Sequence, residues 1–134
     1  MRRRSTPPDG RPSTIIAPEG GNDVFGTPGD DVILGTGNAD HLIGMGGNDV
    51  ICGGGGSDIV DGHDGNDLVF GEGGNDQVLG GLGDDRLFGG DGDDHLIADE
   101  GSDICDGGPG TDSHQDYGRG PCEQVPNVES EVRR

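Results

Sequence analysis

The chain has 134 residues, 31 of them glycine and none tryptophan, a formal net charge of −19 and only 27% apolar residues. Such a composition borders on the disordered class, because little apolar burial is available to offset backbone ordering. Between Asp23 and Asp112 twenty-one acidic residues accompany a single basic one, Arg86, and a polyanion of that density excludes nucleic acid and anionic lipid as partners and favours cations.

Residues 1–17 carry Pro7, Pro8, Gly10 and Pro12 without any period, which predicts a disordered tail. The other seven arginines lie in the two tails (Arg2, Arg3, Arg4, Arg11, Arg119, Arg133 and Arg134). After Arg2 to Arg4 the only apolar run is Ile15, Ile16, Ala17, too short for a signal-peptide core, so no export signal is visible. No later run approaches the roughly 18 apolar residues of a membrane helix.

A repeat then takes over. Asp23 and Asp31 are eight residues apart, and from Asp31 an Asp recurs every nine residues to Asp112, giving ten repeats over residues 26–115 after a partial one. Position one is Gly in every repeat except at Ala98, and position four is Gly except at Asn38. Both residue types tolerate positive φ, so positions one to six are predicted to form a tight turn with left-handed residues. Position eight runs Ile33, Leu42, Ile51, Val60, Val69, Val78, Leu87, Leu96, Cys105 and His114. This reads as a three-residue strand whose central side chain points inward. Pro occurs only in the first and last repeats, as Pro28 and Pro109, which leaves the ladder donors of the interior intact.

The blocks GMGGNDVIC, GGGGSDIVD, GHDGNDLVF, GEGGNDQVL and GGLGDDRLF, from Gly44 to Phe88, resemble the nonapeptide GGxGxDxUx of RTX, or hemolysin-type, calcium-binding proteins. The resemblance covers about two-thirds of the chain. It implies an all-β, right-handed parallel β-roll (a β-solenoid) over residues 18–115, with two parallel sheets, two repeats per turn and residues eighteen apart stacked. Residues 116–134 would be an irregular C-terminal cap and tail.

Two carboxylate ladders follow from that stacking: Asp31, Asp49, Asp67, Asp85 and Asp103 on one edge, and Asp40, Asp58, Asp76, Asp94 and Asp112 on the other, with Asp23 at the irregular start. Stacked strands lie ~4.8 Å apart, and unit charges at that distance repel by roughly 3 kcal/mol at an effective dielectric of ~20. Ca²⁺ offsets this repulsion, because it takes roughly six to eight oxygens from carboxylates and carbonyls, here those of the preceding Gly-rich turns; Mg²⁺ demands a tighter octahedron. Pairing repeats eighteen residues apart gives up to about eight ions.

The remaining acids, at position five (Asp30, Asp84, Asp93), in the turns (Asp64, Glu72, Asp91, Glu100) and at position nine (Asp61, Asp106), are expected to be solvated charge, and His41, His63, His95 and His114 incidental. No G-x-S-x-G, H-E-x-x-H, P-loop or EF-hand loop is present, so no enzymatic activity is expected. Outward positions of the odd repeats form an apolar stripe, with Val32, Val50, Leu68, Phe70, Phe88 and Ile104 as a candidate face for self-association or docking of another protein. The three cysteines match no zinc spacing. A Cys105 to Cys122 disulfide would fold residues 113–122 over the open end, a place where the resembling secreted proteins look similar, and would leave Cys52 unpaired.

The resemblance thus implies calcium-induced folding of a secreted, extracellular repeat protein. The alternatives are an extracellular adhesion module with structural calcium, or a repeat segment of a larger secreted toxin or enzyme.

Overall fold

The computed structural model describes residues 13–21, 23–116 and 128–132. Among the described residues there is no helix, and every regular element is a short parallel strand. One sheet contains β1 (Ser13–Ile16), β3 (Asp31–Leu34), β5 (Val50–Cys52), β7 (Leu68–Phe70), β9 (Arg86–Phe88) and β11 (Ile104–Asp106) in that order. The other runs from β2 (Asp23–Phe25) through β4 (His41–Ile43), β6 (Ile59–Asp61), β8 (Gln77–Leu79), β10 (His95–Asp99) and β12 (Asp112–Asp116) to β13 (Val128–Val132). From β1 to β12 successive strands therefore alternate between the two sheets, and neighbours within a sheet pair eighteen residues apart: Val50 faces Leu68, Ile51 faces Val69 and Cys52 faces Phe70.

The pleat explains the core. In the three-residue strands only the middle side chain turns inward. Ile33, Leu42, Ile51, Val60, Val69, Val78, Leu87, Leu96 and Cys105 are fully buried and join in one apolar cluster between the sheets. One inward side chain per nine residues makes a thin core. The backbone ladder and the turn edges must therefore carry much of the specification.

The array extends beyond its expected ends. Residues 13–16, expected within the disordered tail, form β1, with Ser13 opposite Asp31 and Ile16 opposite Leu34. The physical reason is alternation: Ser13 and Ala17 are buried, Ile15 packs on the core, and Ile16 points out with 70% exposure. Residues 1–12, the rest of that tail, lie outside the described residues. At the other end, within the expected irregular cap, Val128–Val132 pair in parallel with β12 after a register shift beyond Asp112. Cys105 is disulfide-bonded and Cys52 is a free thiol; Cys122, the expected partner of Cys105, lies outside the described residues.

The turns fall into two classes. From the third repeat onward both position two and position four have positive φ, as at Met45 (71°) and Gly47 (87°) or at Glu72 (72°) and Gly74 (91°). In the first two repeats neither position does, so Gly29 and Asn38 depart from the expected left-handed conformation. Left-handed residues at position two were not anticipated. Met45, His63, Glu72 and Asp99 adopt that conformation, at a cost of about 1 kcal/mol each.

Candidate metal centre

Each position-six Asp sits where the turn enters the strand, and its side chain folds back beneath the turn. All ten, from Asp31 to Asp112, are buried. In eight of them, Asp49 to Asp112, one carboxylate oxygen stitches the stack: the amide of Asp31 donates to Asp49 Oδ1 at 2.8 Å, Asp49 to Asp67 at 2.8 Å, Asp67 to Asp85 at 2.7 Å and Asp85 to Asp103 at 2.8 Å. On the opposite edge Asp40, Asp58, Asp76 and Asp94 donate likewise to Asp58, Asp76, Asp94 and Asp112. The structure thus brings the two expected rows together as continuous columns.

The second oxygen is different. Oδ2 of Asp49, Asp58, Asp67, Asp76, Asp85 and Asp94 is buried without a hydrogen-bond partner, an arrangement that costs about 1–3 kcal/mol per group, more when charged. These oxygens face the open side of the position-one glycine. A methyl group placed on Gly71 would lie 2.8 Å from Asp76 Oδ2 and 2.8 Å from the carbonyl oxygen of Gly89 in the next turn. On Gly89 it would meet Asp94 Oδ2 at 2.6 Å and Gly107 O at 2.8 Å, and on Gly44 Asp49 Oδ2 at 2.5 Å and Gly62 O at 2.8 Å. Glycine at position one therefore keeps a small oxygen-lined cradle open between stacked turns.

Burial, opposed in part by the amide that donates to each carboxylate, raises the proton affinity of these groups. Asp49 and Asp85 are pushed up to about 8, Asp58, Asp67 and Asp94 to about 7, and Asp76 to about 6. Neighbouring carboxylates add to burial, as Asp67 and Asp31 do for Asp49. Such groups need a proton or a cation. The donor set is all oxygen, carboxylate plus carbonyl, which suits a hard divalent ion of the size of calcium. Among the described residues no three His, Cys, Asp or Glu side chains converge on a point, so side-chain-only sites of the zinc kind do not form there.

Asp31, Asp40 and Asp23 stand apart from that pattern. Asp31 Oδ2 accepts from the Thr27 amide at 2.7 Å, and the Thr27 hydroxyl donates to both carboxylate oxygens. Asp40 is held in the same way by Thr36. At the far end a methyl on Gly107 would lie 2.6 Å from Asp112 Oδ2, while the repeat of Asp103 carries buried Ala98 at position one. Asp23 lies outside the ladder, 3.3 Å from His41 Nδ1 and exposed.

Position five holds a feature that the sequence reading assigned to solvent. Asp30 Oδ1 accepts from the Asn48 amide, Asn48 from Asn66, Asn66 from Asp84 and Asp84 from Ser102; on the other edge Asn75 accepts from Asp93 and Asp93 from Thr111. This row runs opposite in sense to the position-six row. Asp61 and Asp106 likewise cap their own turns, through the amides of His63 and Gly108. The signal was present: position five is Asp, Asn, Ser or Thr in every repeat but that of Ala39.

The histidines do not gather. His63 lies 3.6 Å from Asp64, His95 bonds Ser113 and Gln115, and His114 is buried with neither ring nitrogen partnered. On the first sheet the rings of Phe70 and Phe88 stack at 5.1 Å and 14°. Val32, Val50, Leu68, Phe70 and Phe88 are half-buried, and Ile104 is exposed.

The family model of the RTX calcium-binding nonapeptide repeat (4 copies) matches residues 25–60, 44–78, 53–87 and 79–113. Among curated proteins none matches the chain.

Proposed function

We propose, from the premise that the chain belongs to the RTX calcium-binding nonapeptide repeat family, that Ca²⁺ enters the cradles between stacked turns and thereby drives the array to fold. The observation that carries this reading is the set of buried, unpartnered Oδ2 atoms on Asp49, Asp58, Asp67, Asp76, Asp85 and Asp94. Each carboxylate, with the carbonyl of a position-one residue one turn on, supplies negative oxygen to a common space. When bound, the ion neutralises the carboxylates. The chain's own residues do the rest: position-one glycines hold the space open, and Asp amides fix the neighbouring carboxylates through Oδ1.

Coupling to folding is thermodynamic, since an ion bound only by the folded array stabilises it by mass action. Modules working outside the cell bind calcium at roughly 10⁻⁴ to 10⁻³ M, and the proposed setting is a secreted protein meeting that concentration. The proposed role is ion-dependent structure, with no catalysis. Circular dichroism during a Ca²⁺ titration, with Mg²⁺ as control, tests it: β signal should rise at millimolar Ca²⁺ and not at equal Mg²⁺. An unchanged spectrum would overturn the reading.

A second reading, an interaction module with structural calcium, is favoured by the stacked Phe70 and Phe88 on the outer side of the first sheet. Phe70→Asp with Phe88→Asp should then alter the oligomeric state seen by light scattering. An identical mass for variant and parent would count against docking through this face.

A further inference from the structure

The first two repeats differ from the others at the one place where a cation would act. In the third and later repeats position two has positive φ, its amide does not reach the carboxylate, and Oδ2 of Asp49, Asp58 or Asp67 has no partner. In repeats one and two position two is Thr, its φ is not positive, and its amide donates to the Oδ2 of Asp31 or Asp40 at 2.7 Å. The Thr27 hydroxyl adds bonds of 2.9 and 3.1 Å, and that of Thr36 bonds of 3.0 and 3.2 Å. Each hydroxyl also accepts from the amide two residues on, Gly29 or Asn38, which completes its own turn. No other repeat has Thr at position two.

We infer that Thr27 and Thr36 replace calcium in the first two repeats, making residues 26–43 a metal-independent turn between strands β1 and β2 on one side and the ion-binding turns on the other. An N–H aimed at a carboxylate oxygen presents positive charge where a cation would otherwise sit, and a cation there would face that N–H. The carboxylates of Asp31 and Asp40 are thereby satisfied without an ion. This metal-independent turn prepares its neighbour, because the Asp31 and Asp40 amides hold Asp49 and Asp58 by Oδ1 at 2.8 Å. Thr27 and Thr36 act here as positioning residues that decide where the array stops binding metal. The inference rests on the calcium reading above.

Ions bound per chain, counted by native mass spectrometry in millimolar Ca²⁺, test it. Asp31→Asn with Asp40→Asn should leave the count unchanged, whereas Asp58→Asn with Asp67→Asn should lower it. A lower count in the first pair would overturn the inference while leaving the calcium reading in place; a parent chain that binds no ion would overturn both. Thr27→Gly with Thr36→Gly provides a second variant, since Gly at position two takes positive φ at Gly54, Gly81 and Gly90. The first turn should then switch class and the count rise by one or two. An unchanged count in that variant refutes the replacement of calcium by Thr.

Discussion

Replacing Gly71 by Ala tests the metal centre at a single atom. The new methyl would lie 2.8 Å from Asp76 Oδ2 and 2.8 Å from Gly89 O, closer than real Cβ contacts come. To restore ordinary contact each oxygen must retreat by roughly half an ångström, whereas the range of Ca–O distances is only about 0.3 Å wide. One site should therefore be lost. A site held at a hundred times its dissociation constant contributes about 2.7 kcal/mol, and for a domain of this size a loss of that order lowers Tm by about 10–20 °C. The backbone at Gly71 does not have positive φ, so Ala is conformationally acceptable there. Gly73, two residues on, also lacks positive φ and would meet nothing within 4 Å, which makes Gly73→Ala the matched control. Isothermal calorimetry gives the ion count and thermal circular dichroism the Tm. If Gly71→Ala binds as many ions as Gly73→Ala, the cradle is not where calcium is held.

Two further predictions concern protons and the end of the core. The folded array holds Asp49, Asp58, Asp67, Asp76, Asp85 and Asp94 at about 6 to 8, against 3.8 for an ordinary Asp, so the folded form binds more protons than the unfolded. Metal-free stability from this source is complete below 3.8 and is lost as pH rises through 6 to 8, so in chelator the β signal should weaken from pH 5 to pH 8. Calcium binding needs the ionised form and moves the opposite way. For a site at about 7, lowering pH from 8 to 6 should raise the half-saturating Ca²⁺ about tenfold; an affinity flat over that range would refute the assignment. His114 continues the buried column beyond Leu96 with both ring nitrogens unpartnered. His114→Leu should remove a penalty of about 1–3 kcal/mol and raise the Tm of the calcium-loaded chain; a lower Tm would show that the imidazole has a needed role.

Much of this architecture is legible as arithmetic. Asp recurs at position six and an aliphatic at position eight, so the core column and both carboxylate ladders can be written down before any coordinates. What escapes is whatever depends on direction rather than type. Asp30 and Asp84 look like solvated charge, yet each accepts an amide from the following turn. Position two varies freely as Thr, Met, Gly, His, Glu and Asp. Its two threonines carry meaning only because their amides and hydroxyls reach a carboxylate four residues ahead. Strand β1 escaped for another reason: Ser13 stands eighteen residues before Asp31 and is followed by Thr14, Ile15 and Ile16 in strand register, without the glycines that mark other repeats.

The alternation of strands between two sheets gives the chain a parity. Every repeat presents an Asp at position six, and the first eight an inward aliphatic at position eight, so excising residues 53–61 would leave the edge columns and the core in register. The outer faces would not survive that change. Leu68, Phe70 and Phe88 would pass to the sheet that now bears His41 and Ile43, and Cys52 would lose Phe70 as its neighbour. Excising eighteen residues keeps every later strand on its own side. Ion binding in this array therefore counts in nines, while anything read from its faces counts in eighteens, and length changes of the two sizes act on different properties of the molecule.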